Sequence, residues 1–137
     1  MKKPRHHWFY DDLFLFNFRL VWPVTAESLE KYVKDEFKQT WRIRMDQRGF
    51  GAKYLFVPHA KSGTHVIALT GWKGTSDHHA QLSHECAHAA RDICWQRDIR
   101  VTRRNDEAFC YLQAFILRRC LNVLLPKRLQ VVPRGKL

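Results

Sequence analysis

Residues 82 to 88 read Leu-Ser-His-Glu-Cys-Ala-His, so that His84 and His88 bracket Glu85 in the spacing H-E-x-x-H. On a helix, residues four apart share a face, with Cβ atoms about 5–6 Å apart. Two imidazoles so placed can reach one metal ion at about 2.0–2.1 Å each. At about 100° per residue, Leu82, Cys86, Ala89 and Ile93 gather into one core-facing stripe. His84 and His88 then lie nearly opposite that stripe, and Glu85 sits at its flank. A carboxylate there can reach water on the ion without itself ligating the metal. Two histidines four apart can also be an ordinary surface pair, so the reading depends on a third ligand.

Downstream of His88 the chain contains no histidine, which leaves a carboxylate as the third donor. The segment Asn-Asp-Glu-Ala-Phe-Cys-Tyr-Leu, residues 105–112, opens a second helical pattern. Glu107 lies 19 residues after His88, enough for the first helix to finish, turn and send an antiparallel partner back past the ion. Asp106 is the competitor. Glu107 shares a helical face with Tyr111, Ala114 and Arg118, and the small Ala114 would let the two helices approach closely.

These helices need a scaffold. Residues 12–22 alternate around Phe14, Phe16 and Phe18 and predict a strand. Pro23 ends it, and Thr25 is an N-cap for a helix to about Lys38, with Leu29, Tyr32, Val33 and Phe37 on one stripe. Residues 40–45 alternate Trp41, Ile43 and Met45 as a short strand. Lys-Tyr-Leu-Phe-Val-Pro-His (53–59) and Thr-His-Val-Ile-Ala-Leu-Thr (64–70) form an antiparallel hairpin. Ser76 or Asp77 caps a long helix to about Arg97. The last helix runs from about Asn105 to Leu124, and Pro126 stops it. Strand, helix, three strands, helix, helix predicts an α+β domain whose small sheet is mostly antiparallel. Strand 64–70, just before the metal helix, is then the expected edge for an extended substrate to join, and His65 within it is structural. One domain spans residues 1–125, followed by a basic tail, residues 126–137.

The 137 residues are 45% hydrophobic and 27% charged, the composition of a globular chain. No segment reaches the roughly 18 apolar residues of a membrane span. The N-terminal stretch has no apolar core of a secretory signal, so a cytoplasmic protein is expected. The four cysteines form no C-x-x-C pair and read as reduced helix residues. The net charge is +11, carried by Lys2, Lys3 and Arg5, by Arg97, Arg100, Arg103 and Arg104, and by Lys127, Arg128, Arg134 and Lys136. Such a field would attract nucleic acid or an acidic protein, or serve only solubility.

His-Glu-Cys-Ala-His followed by Asn-Asp-Glu-Ala-Phe-Cys-Tyr resembles the gluzincin branch of zinc metallopeptidases. The likeness is to the small single-domain forms encoded by bacteriophages and prophages. In layout it covers residues ~50–120, and in specific residues only 84–88 and 105–112. The resemblance implies a zincin-like fold and a single zinc ion held by His84, His88 and Glu107. It makes Glu85 the general base for water attacking a peptide carbonyl, in the host cytoplasm if the chain is phage-encoded. It also implies a Tyr or His donor for the oxyanion, for which Tyr111, His78 and His79 are the candidates. Larger members carry an Asp one turn after the third ligand, where this chain has Tyr111. Asp92, one turn beyond His88, could instead orient a ligand imidazole. The rival expectation is a binding module of the same shape that holds nucleic acid or a nucleoprotein through its basic surface.

Overall fold

A computed structural model describes residues 3–45, 49–58 and 63–126. Its elements in chain order are β1 (Arg5–Asp11), β2 (Phe16–Trp22), α1 (Ala26–Phe37), β3 (Ala52–Val57), β4 (Thr64–Leu69), α2 (Ser76–Gln96) and α3 (Glu107–Leu124). The chain is a small α+β domain with one four-stranded sheet in the order β1-β2-β4-β3. The outer pairs β1–β2 and β3–β4 are antiparallel, and the inner pair β2–β4 is parallel. The sheet is therefore mixed, antiparallel in two of its three pairings. Between β2 and β4 the chain crosses over through α1 and β3, which lets two strands distant in sequence run the same way.

Two strand expectations are corrected. The strand expected over 12–22 is the second half of a hairpin. Asp11 accepts the Phe14 N–H at 2.7 Å, and Leu15 takes a left-handed φ of 56°, so the chain reverses at 12–15. Arg97 clamps that reversal from the end of α2 by donating to the carbonyls of Phe14 and Leu15. Residues 40–45 are not a strand. Ile43 is buried, but its N–H donates to the Glu30 side chain at 2.8 Å and not to a neighbouring strand. The alternation there serves packing against α1, with Trp41 and Met45 joining the same cluster.

Each helix is where a cap and an apolar stripe put it. Thr25 and Ser28 form a reciprocal capping box at α1, with bonds of 3.1 and 2.8 Å. Thr75, one residue before the expected caps, accepts the His78 N–H at 3.2 Å and starts α2. Asp106 occupies the N-cap position of α3 without a side-chain bond.

Alternate strand residues divide the core. Leu55, Val57, Val66, Ala68 and Val21 face α1, where they meet Leu29, Val33 and Phe37. Phe9, Phe16, Phe18, Leu20, Ile67 and Leu69 face α2 and α3. There they meet Leu82, Cys86, Ala89, Ile93, Leu112, Ile116 and Cys120. Burying each of these larger side chains stabilises by about 1.5–3 kcal/mol. The stripe expected on α2 is thus the buried one. β4 is covered on both faces, and all six of its residues are buried. The cysteines are free; Cys86, Cys94 and Cys120 are buried, whereas Cys110 is exposed. No helix among the described residues is long and apolar enough to cross a membrane. Residues 127–137, nearly all of the expected basic tail, lie outside the described residues.

Candidate metal centre

α2 lays its apolar stripe against the sheet and α3, which turns the opposite side, bearing His84 and His88, outward. The two Nε2 atoms stand 3.0 Å apart, and the ring centroids are 4.7 Å apart at 81°. Two nitrogens at about 2.0–2.1 Å from one tetrahedral ion are about 3.3–3.4 Å apart. The pair therefore needs only a few tenths of an ångström to serve as a bidentate donor. In the present geometry one ring donates its Nε2–H to the other.

Glu85 completes a group of three. One ligating atom from each of His84, Glu85 and His88 lies within 4.8 Å of the others, the one such cluster among the described residues. Its carboxylate is fixed from the other side, because Oε2 accepts the Tyr54 N–H at 2.6 Å. Since that N–H points away from β4, Tyr54 shows which backbone groups of β3 face outward. By alternation, Ala52 and Phe56 share that direction. The sheet edge beside the site is thus β3, with its Tyr54 N–H taken by Glu85. The expectation that 64–70 would be the edge is overturned, since β4 lies between β2 and β3.

Tyr54 is the site residue the sequence reading missed. Its ring lies parallel to His88 on one side and to His65 on the other, at 6.5 and 6.0 Å. Its hydroxyl sits 2.6 Å from His65 Nδ1, and the Asp92 charge acts on it. Burial, then the Asp92 charge, pushes the Tyr54 hydroxyl well above the usual phenol range. Burial likewise drives His65 down to about 4, partly opposed by Asp92. His65 is neutral and structural, as its strand position implied. The only available signal for Tyr54 was a phenol within an otherwise apolar strand, whose polar tip must find a partner when buried.

Several expected neighbours of the ion are placed elsewhere. Asp92 is half-buried and its charge acts on Tyr54 and His65, while His88 Nδ1 has the Arg91 guanidinium at 3.4 Å. Glu107 is the first residue of α3, exposed, and outside the cluster of three. Tyr111 sets its ring against Phe14 and Phe115, 5.9 Å from each. His78 is buried. It accepts the Lys73 N–H on Nδ1 at 2.9 Å and stacks on Phe50 at 3.8 Å. His79 lies against Trp72. Both act at the start of α2 and make no recorded contact with the histidine pair.

A cavity of about 350 Å³ opens beside Glu85, between α2, the edge of β3 and residues 44–45. A larger one, about 520 Å³, lies between α1 and the N-terminal residues, and no metal-capable cluster adjoins it. The smaller cavity adjoins the His84-Glu85-His88 cluster, which makes it the functional candidate. No family model matches this chain, and neither a curated protein nor a solved structure does.

Proposed function

We propose that the chain is a metal-dependent peptide hydrolase, with His84 and His88 holding a divalent cation and Glu85 acting as general base. The observation that carries this reading is the convergence of two Nε2 atoms 3.0 Å apart with a carboxylate in the same cluster. Imidazole donors without thiolates suit zinc. Glu107, first residue of α3, is the proposed third ligand, joining the pair when the cation draws it in. A bound cation of this kind supplies a Lewis acid and acidifies water toward neutrality. The rest belongs to the chain. Glu85 holds and passes on a proton, and the Tyr54 N–H keeps its carboxylate aimed across the cleft. β3 offers outward backbone groups at Ala52 to an extended peptide. The resemblance to zincin-like metallopeptidases of phages supports the same assignment.

The test compares the unmodified protein with Glu85→Gln, each loaded with zinc, on casein and on a peptide library. Glu85→Gln should keep the metal and lose at least about 100-fold in cleavage, the scale of a general base. Equal cleavage by both, or none by the unmodified zinc-loaded protein, overturns the reading.

A second reading, nucleic-acid binding, is favoured by one observation absent from the sequence patterns. Trp8 and Tyr10 stand side by side on one face of edge strand β1, 65% and 51% exposed. Exposed rings on a basic protein can stack on unpaired bases. Trp8→Ala should then weaken binding to a single-stranded oligonucleotide, and that binding should fall steeply with salt.

A further inference from the structure

We infer that the groove beside Glu85 selects peptide segments carrying an Asp or Glu side chain next to the residue presented to Glu85. This rests on the hydrolase reading for cleavage but not for binding.

The groove has a floor and two walls. The floor is the outer edge of β3 at Gly51, Ala52 and Lys53, one wall is α2 at Gln81 and Glu85, and the other is Arg44 and Met45. A second cavity of about 260 Å³ adjoins it at Phe50, which lines both, and leads to Lys73. Among the described residues, the charged side chains along this path are Arg44, Lys53 and Lys73 against Glu85 alone. Glu85 is already engaged by the Tyr54 N–H at 2.6 Å. Lys53 is fixed as well, because its Nζ donates to the Arg44 carbonyl at 2.7 Å. Lys53 is thus held at the rim, and Arg44 lines the same cavity.

Strand geometry turns this asymmetry into a sequence preference. The Gly51 N–H and carbonyl are bonded to Thr70, whereas Ala52 shares the outward direction of Tyr54. A peptide pairing with this edge places successive side chains on opposite faces of the extended sheet. One side chain falls on the α2 side, toward Glu85. The adjacent one falls on the side where Lys53, Leu55 and Val57 project, beside Arg44. An acidic group there meets two cations, whereas a lysine there meets repulsion.

The experiment uses the whole zinc-loaded protein and pairs of labelled peptides that differ only by Glu, Gln or Lys at one position, read by fluorescence anisotropy. The Glu peptide should bind about two- to fivefold tighter than the Gln peptide, the scale of a rim charge pair. Arg44→Glu with Lys53→Glu should reverse the order in favour of Lys, and the milder pair Arg44→Gln with Lys53→Met should remove it. Arg103→Glu with Arg104→Glu, which alters net charge equally but away from the groove, should leave the preference intact. Equal binding of the three peptides overturns the inference. So does an equal loss of preference in the Arg103/Arg104 variant, which would assign selectivity to overall charge. Acid-selective binding without cleavage upholds the inference and removes the hydrolase reading. Cleavage without acid preference does the reverse.

Discussion

Histidine occurs in two contrasting settings on either side of Tyr54, whose ring is 6.5 Å from His88 and 6.0 Å from His65. His84 and His88 stand on the outer face of α2 with their Nε2 atoms turned toward each other. His65 lies inside β4, only 1% exposed, with its Nδ1 on the Tyr54 hydroxyl. Tyr54 is stacked between the two environments. The difference lies in what surrounds each ring. A ligand must keep a lone pair within reach of a cation and of solvent, whereas His65 has only its Nδ1 answered inside the core, its buried Nε2 having no hydrogen-bond partner among the described residues. Burial closes His65 off from solvent, whereas helix periodicity keeps the pair on α2 at the surface.

That contrast can be broken in graded ways. The largest effect is expected on the far side of the metal helix. Leu82→Ala deletes a fully buried side chain and should cost about 2–5 kcal/mol in denaturant unfolding. The folded fraction should still bind one zinc, because the histidines face the other way. Loss of metal affinity in that fraction would show that ligation and core are not separable.

Next is acid. His65 is held neutral in the fold down to about pH 4, against 6.5 in the unfolded chain. Below 6.5 the unfolded state takes up a proton that the native state refuses. Stability therefore falls as pH drops from 6.5 toward 4, by roughly 3 kcal/mol for a shift of that size. Denaturant midpoints across this range should fall for the unmodified protein and be flatter for His65→Asn. Parallel curves would remove His65 as the cause.

A smaller effect isolates the residue between the two sites. Tyr54→Phe keeps the ring and the N–H that holds Glu85, and removes only the hydroxyl bonded to His65. It should cost about 1–3 kcal/mol, the cost of stranding a buried polar group, and leave zinc content unchanged. A drop in zinc content would mean that the hydroxyl supports the ligand pair directly.

The sequence disclosed what is local. The H-E-x-x-H face, the Leu82-Cys86-Ala89-Ile93 stripe and the Thr25 cap all follow from 3.6-residue periodicity and short-range hydrogen bonds. What it concealed is long-range. Arg-His-His-Trp-Phe-Tyr-Asp is too polar to announce a strand, and β1 exists because the Asp11 turn lays it along β2. Residues 40–45 alternate as a strand would, yet Glu30 captures the Ile43 N–H. Once those two segments exchange roles, the sheet order changes and the edge moves from β4 to β3. Asp92 shows the same limit at the site. Its spacing from His88 is right for a supporting contact, but its charge acts on Tyr54 and His65 of the sheet. Which strand residues come within reach of a helix position depends on packing between distant segments, which no local spacing encodes.

The most direct measurement of the central claim is the metal content of the protein purified without chelator, determined by elemental analysis beside His84→Ala, His88→Ala and His65→Asn. The account predicts close to one zinc per chain in the unmodified protein and in folded His65→Asn, and none in the two α2 variants. An unmodified protein without metal that also fails to take up added zinc, or α2 variants that keep it, would contradict the account.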